Sequence, residues 1–303
     1  MSRPRCEGCG NFTPGALLPV VDPHPQGALA RTALRGSRFA DVRWTNETGS
    51  TNADVLELAR QGEPEGIVVV ADHQLAGRGR RGRTWDAPVA SGLMATVLLR
   101  PRAPVAGLTT MCLALAAADA VEGLTGLAPG LKWPNDLVWP GDGSGPDRKL
   151  AGILAEAEWP SSSHVAGGWS PPGPHERVTV AAGIGLNITW GDAKPAELVD
   201  VAVALGELTD QVPDRADLLV ALLRSLDGHY TSLHQGPAGV EAVRAAWRRR
   251  SATLGRRVRV DLGADDVVGT AVDITDEGHL VVDTLEGERR TLAVGDVVHL
   301  RSG

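Results

Sequence analysis

Hydrophobic positions along the chain change period several times, and each change predicts a new element. The run Ile67-Val-Val-Val-Ala71 is unbroken and apolar, as a strand buried on both faces would be. Leu93-Met-Ala-Thr-Val-Leu-Leu99 reads as a second buried strand, and Val42-Arg-Trp44 as a short one. Between them, Ser50-Thr-Asn-Ala-Asp54 supplies hydroxyl caps and a first-turn acid. Val55, Leu56, Leu58 and Ala59 continue a helix from that start. An alanine-rich helix is predicted over 108–124. Strands over 131–139 and 149–159 flank a Gly/Asp/Ser/Pro stretch at 141–147 with the composition of a hairpin loop. A strand over 178–189 carries Gly183 and Gly185, and helices follow over 215–234 and 238–250. From Arg256 the pattern becomes short alternating strands (258–260, 267–274, 280–283 and 297–300) with turns at Gly263, 276–278 and 286–287. That spacing predicts a small β-barrel of SH3 size.

Residues 1–38 are rich in Pro and Gly with sparse apolar positions, and predict a disordered leader. The Ser/Gly/Pro segment 160–174 predicts a mobile insert. The expected organisation is a leader (1–38), a large domain (39–252) and a small barrel (253–303), which suits 303 residues.

Composition narrows the function classes. No uninterrupted apolar run reaches a membrane span, and Met-Ser-Arg-Pro-Arg-Cys lacks a secretory apolar segment, so a cytoplasmic location is expected. A net charge of −7 disfavours general affinity for phosphate backbones but leaves room for a local basic site. Cys6 and Cys9 form a single Cys-x-x-Cys without the second half of a zinc site, and Cys112 falls in an apolar helix as core. Of 30 basic residues only Lys132, Lys149 and Lys194 are lysines. With arginine as the generic cation, lysine marks places where a compact ammonium is wanted.

The chemistry gathers in four places. Gly77, Gly79 and Gly82 match a dinucleotide fingerprint after a strand, but the following Arg83-Thr-Trp-Asp-Ala-Pro88 has no helical period. Arg78, Arg80, Arg81 and Arg83 lie among these glycines. A flexible cationic loop of this kind suits closure over an anion; the alternative is a solvated hairpin tip. Lys132-Trp-Pro-Asn-Asp136 sits in an apolar stretch, and Pro134 places that strand at an edge or bulge. Lys132 can meet phosphate, and Asn135 with Asp136 offers oxygens suited to hydrated Mg²⁺. A hairpin turn is the open alternative there. Lys149 stands at a strand entrance beside Gly152, and Gly183 with Gly185 leaves a flat floor on one strand face. A bulge or close packing would explain the same glycines. Together these features imply a pocket for a slim, flat ligand with an anionic end.

Gly-Ser-Thr-Asn (49–52), Gln74, Gly-Arg-Gly-Arg-Arg-Gly-Arg-x-Trp (77–85), Lys-Trp-Pro-Asn-Asp (132–136), Arg-Lys-Leu-Ala-Gly-Ile-Leu (148–154) and Gly-Ile-Gly-Leu-Asn (183–187) occur in this order. The chain thereby resembles biotin–protein ligases over roughly residues 42–300. The resemblance implies an α+β fold, with a mixed-sheet catalytic domain followed by an SH3-like domain. It also implies formation of biotinyl-5′-AMP from biotin and MgATP, then transfer to a carrier lysine. Ser50, Thr51, Asn52, Gln74, Gly77, Arg78, Arg80, Lys149, Gly152, Gly183 and Gly185 would serve biotin. Arg80, Arg81, Arg83, Trp85, Lys132, Asn135, Asp136 and Asn187 would serve ATP, with Asp136 toward Mg²⁺. Lys149 and Arg80 would carry the chemistry. The implied partner is the biotin carboxyl carrier domain of an acyl-CoA or pyruvate carboxylase, with no DNA and no membrane. Some members bear an N-terminal winged helix and repress transcription; the roughly 40 residues before the catalytic domain show no such pattern, which predicts the monofunctional type. Two alternatives stay open. One is a lipoate–protein ligase of the same fold, expected to lack the full arginine loop. The other is a non-catalytic module that binds anions or nucleic acid.

Overall fold

A computed structural model describes residues 24–140, 146–160, 163–165, 168–263 and 265–300. The chain begins with α1 (Pro25–Ala33), β1 (Val42–Thr48), α2 (Thr51–Arg60), β2 (Val68–Gln74) and β3 (Gly92–Leu99). The long helix α3 (Thr109–Thr125) leads to β4 (Gly130–Lys132), β5 (Asp136–Trp139) and β6 (Arg148–Glu158). A two-residue pair, β7 (His164–Val165) and β8 (Gly168–Trp169), precedes β9 (Thr179–Asn187). Helices α4 (Arg215–Leu233) and α5 (Pro237–Arg250) close the larger domain.

Seven strands form one mixed sheet in the order β1-β2-β3-β9-β6-β5-β4. Only β1 and β2 pair in parallel, and α2 supplies the crossover that a parallel pair requires. Period-two alternation shows why Ile67–Ala71 could be uniformly apolar. Val68 and Val70 join the main core, whereas Ile67 and Val69 pack with Val55, Leu58, Leu98 and Ala181 beneath α2. Both faces of these strands are covered, as expected of an unbroken hydrophobic run. Helix α3 lies in the main core with α4 and α5 against it. By length and composition the stretch 103–125 could cross a membrane, yet here it is a buried core helix. Cys112 within it is fully buried, and burial pushes its thiol pKa up to about 12.

The C-terminal region is a five-stranded antiparallel sheet of SH3-like type. Its strands are β10 (Arg257–Asp261), β11 (Asp266–Ile274), β12 (Leu280–Thr284), β13 (Arg289–Leu292) and β14 (Asp296–His299), in the order β13-β12-β11-β10-β14. Strand β13 escaped the hydrophobic pattern because three of its four residues are exposed. The sheet docks on the β4–β5 hairpin. Trp133 N donates to Thr253 Oγ1 at 3.0 Å, and its indole Nε1 donates to the Gly278 carbonyl at 3.0 Å.

Two expectations need correction. The segment 24–38, expected to be part of a disordered leader, is folded. Ala30 and Leu34, four apart on and just after α1, are buried in the main core with Phe39. The leader is fastened as well as packed: His24 and Arg215 both reach Asp72, at 3.1 and 2.6 Å, and Trp44 Nε1 donates to it at 2.8 Å. Cys6 and Cys9 lie outside the described residues. The predicted strand over 131–139 is two short antiparallel strands, so Lys132-Trp-Pro-Asn-Asp136 is a hairpin turn, with a cis Trp133–Pro134 bond. The bulge expected there exists one step on, between Leu137 and Val138 of β5 against β6.

Candidate active site

The floor of the site is set by register. Gly152 of β6 stands directly opposite Gly185 of β9, and Leu154 opposite Gly183. Two adjacent strands therefore present bare backbone at one point on the face that α2 covers farther along. The indole of Trp85 lies over this pair: a Cβ on Gly185 would stand 2.4 Å from its Cε2, and one on Gly152 would stand 3.0 Å from its Cζ3. A cavity of about 230 Å³ opens here, and most of the predicted residues line it.

The end wall is the start of α2. Ser50 has extended N-cap backbone, but its hydroxyl makes no capping bond, contrary to the hydroxyl-cap expectation. Gln74 takes that role, its Oε1 accepting from Thr51 N at 2.9 Å and from Thr51 Oγ1 at 3.1 Å. The polar chain continues from Thr51 Oγ1 to Thr96 Oγ1 (2.7 Å) and from Thr96 to Asn52 Oδ1 (2.7 Å). Asn52 Nδ2 then donates to the Leu154 carbonyl and to Glu156. Asn52 is thus a buried brace between α2 and β6.

The arginine loop is an ordered hairpin, where free flexibility was expected. Trp85 N donates to the Gly77 carbonyl at 2.9 Å, Arg78 bridges Thr84, and Gly79 N donates to the Arg83 carbonyl at 2.7 Å. At its tip, Arg81 and Gly82 take φ of 55° and 71°. Gly77 is required at the neck, since a Cβ there would meet the Trp85 carbonyl at 2.2 Å. Arg78 pairs with Glu156 at 3.2 Å, and Arg80 Nη1 donates to Asn135 Oδ1 at 3.2 Å. Burial lowers the pKa of Arg80, while Asp296 and Asp136 pull it the other way.

Lys149 meets Asp136 at 2.7 Å and stands 5.6 Å from the Trp85 ring centre. Its backbone is clamped by pairing with 201–203, and Asn187 Nδ2 donates to the carbonyls of both Lys149 and Val203. Asn187 therefore supports Lys149 from below. Lys132 lies beside the C-terminal domain and does not line the cavity. Burial depresses its ammonium pKa, against the pull of Asp136 and Asp147. Gly77, Arg81 and Asp136 are likewise off the cavity surface. Among the described residues no group of three or more His, Cys, Asp or Glu side chains is arranged to hold a metal ion. Asn135 is already engaged at both ends, its Nδ2 donating to the Ile153 carbonyl at 2.6 Å.

Sequence reasoning missed Thr96, Glu156 and the wall formed by Trp190, Leu198 and Ala202. Thr96 was visible as a lone polar residue in an apolar strand, and Glu156 as the period-two successor of Gly152 and Leu154. The third lysine, Lys194, braces this wall: Nζ sits 4.8 Å from the Trp190 ring centre and 2.8 Å from Glu207.

Comparison with known proteins decides the family. The Biotin/lipoate A/B protein ligase family model matches residues 42–166, and the Biotin protein ligase C terminal domain model matches 253–300. A biotin–[acetyl-CoA-carboxylase] ligase of Mycobacterium tuberculosis is 38% identical, covering 88% of this chain and 91% of that protein. The chain belongs to the biotin/lipoate protein ligase family. A bifunctional ligase/repressor BirA of Bacillus spizizenii is 30% identical over 87% of this chain and 77% of its own length. The biotin protein ligase of Aquifex aeolicus, solved in complex with biotin and ATP, superposes with a TM-score of 0.66 at 26% identity. The match covers 87% of this chain and all of that one. The expected fold of the family, a mixed-sheet domain followed by an SH3-like domain, is the fold found here.

Proposed function

We propose that this member of the family is a biotin–protein ligase acting in two steps. The biotin carboxylate attacks the α-phosphorus of MgATP, the Pα–O–Pβ bond breaks and pyrophosphate leaves. A carrier lysine amine then attacks the acyl carbon of the adenylate, AMP departs, and the new amide loses a proton.

One observation carries this reading: Lys149 stands where a cavity lined by Gly152, Gly183 and Gly185 meets an arginine-rich loop. The cavity suits a flat bicyclic ring with its tail pointing outward, and the tail would end at the ammonium. Two anions must approach each other for adenylation, and a fixed cation between them lowers that barrier most in a site shielded from water. The α2 wall of Ser50, Thr51 and Gln74 would hold the polar ring of biotin, with Asn52 behind it. Arg78, Arg80 and Lys149 would meet the carboxylate and α-phosphate. Arg81, Arg83 and Lys132 would face the outer phosphates, and Trp85 and the Asn187-supported wall would border the nucleotide. Asp136, paired with Lys149 in the absence of substrate, would supply one carboxylate, a number Mg²⁺ accepts when it comes bound to substrate phosphates. The carrier would be the biotin carboxyl domain of a carboxylase, in the cytoplasm where ATP is at hand.

Pyrophosphate release with ATP plus biotin, lipoate or neither tests the reading, followed by transfer of labelled biotin to a carboxylase carrier domain. Biotin-dependent release is expected, and release with lipoate alone would replace biotin as substrate. Lys149→Ala should lower adenylation by several orders of magnitude in a folded protein. Near-normal release from that variant would remove Lys149 from the chemistry.

A further inference from the structure

Three guanidinium groups of the arginine loop converge on one carboxylate of the C-terminal domain. Arg80, Arg83 and Arg81 lie 3.2, 3.1 and 3.7 Å from the oxygens of Asp296, the first residue of β14. Arg80 Nη1 also donates to the Gly295 carbonyl at 3.2 Å. Arg81 reaches the neighbouring strand too, with Nη1 3.3 Å from the Asp261 carboxylate and Nη2 donating to its carbonyl at 2.7 Å. Asp261 and Asp296 are directly opposite each other in the β10–β14 register. Like charges in that relation repel and weaken a sheet. The counter-charge they share comes from the other domain, since one nitrogen of Arg81 bridges both acids.

We propose that Asp296, assisted by Asp261, is a positioning residue for the ligase reaction: it holds the arginine loop folded over the pocket so that Arg80 and Arg83 stand ready for the triphosphate. The proposal rests on the ligase reading of the pocket. Four arginines within six residues repel one another, and a glycine-containing loop would relieve that repulsion by swinging outward. A carboxylate fixed by strand register offsets the repulsion without ordering a second flexible element. Each pair is partly exposed and weak alone, so the effect comes from three cations sharing one rigid acid. When nucleotide binds, phosphate oxygens take over as counter-ion.

The test compares wild type with the isosteric, uncharged Asp296→Asn and the charge-conserving Asp296→Glu. Limited trypsin treatment of substrate-free protein, with fragments identified by mass spectrometry, reports cleavage after Arg78, Arg80, Arg81 and Arg83. Cleavage should be about five- to tenfold faster in Asp296→Asn and near wild type in Asp296→Glu, with melting temperature as the control for folding. Raising salt should speed loop cleavage in wild type toward the rate of the Asn variant, because the clamp is partly screened. In the pyrophosphate assay the Asn variant should raise the ATP KM about fivefold, with the effect on KM rather than kcat. An unchanged cleavage rate overturns the proposal, and so does a lowered ATP KM, which would make Asp296 a competitor of phosphate. If Asp296→Asn fails to fold, Asp261→Asn should give a smaller change of the same sign, and no change there also overturns it. Absence of adenylation in wild type would sink the ligase reading, while the proteolysis arm would still judge the clamp.

Discussion

Gly185→Ala adds one methyl group directly beneath the Trp85 indole. A Cβ built there falls 2.4, 2.6 and 2.7 Å from Cε2, Cζ2 and Nε1 of Trp85. Ordinary carbon contacts lie at about 3.5–4.0 Å, so the indole must withdraw by roughly 1 Å. Gly185 does not have a left-handed φ, so alanine is acceptable to the backbone and the penalty is one of space. Overpacking of this size costs about 1–3 kcal/mol. Trp85 sits on a half-exposed loop, so the fold can absorb the displacement, but the indole rests directly on the glycine floor and its withdrawal reshapes the cavity it lines. Biotin affinity measured by calorimetry should therefore fall about ten- to a hundredfold, while the melting temperature moves by only a few degrees. Gly123→Ala is the control. Gly123 is exposed in the last turn of α3 with nothing within 4 Å of a built Cβ, and alanine there should add about 0.5–1 kcal/mol of stability without touching affinity. A Gly185→Ala protein that is folded and binds biotin within twofold of wild type would refute the glycine pair as the floor.

Deleting residues 1–38 should lower the melting temperature markedly, because it removes α1 together with buried Ala30 and Leu34; a buried leucine alone is worth about 2–5 kcal/mol, and an unchanged melt would contradict the packing seen here. Asp72→Asn should cost about 3 kcal/mol at pH 7 by leaving Arg215 without its carboxylate. Burial by itself would raise the Asp72 pKa, but hydrogen bonds from Trp44 and Arg215 and the charge of Arg215 hold it below the usual carboxylate value. The stability it contributes is therefore full above about pH 4 and is lost as pH falls through the lower folded-state pKa, so the two proteins should converge in acid denaturant titrations. A gap that is the same in acid as at pH 7 over the whole titration would show that the loss is not one of charge. Arg80→Gly severs the contacts to Asn135, Gly295 and Asp296 and should loosen the lid while leaving Lys149 in place, so biotin should label added albumin about tenfold faster at equal adenylation rate. Equal labelling would mean that the loop does not retain the adenylate.

The residue types of this site were legible along the chain. A strand stripped to glycine, a loop crowded with arginine and a lysine in a lysine-poor chain each depart from local expectation, and the structure brings them to one cavity. Buried strands and helices were legible for the same reason, because their periodicity is a local property. Where local pattern was thin, reading failed. Strands β4 and β5 have three and four residues, too few to reveal a chain reversal between them, and β13 carries one buried side chain. The segment 24–38 looked too polar to fold, and it folds because a few apolar residues and one histidine find partners on β1, β2 and α4. Only tertiary structure could decide which residues meet. Gly152 faces Gly185 because of strand register, Asn187 props Lys149 across a neighbouring strand, and Asp296 reaches the arginine loop from more than two hundred residues away. Such pairings depend on how the sheet is ordered and how two domains dock, and no local pattern of polar and apolar positions encodes them.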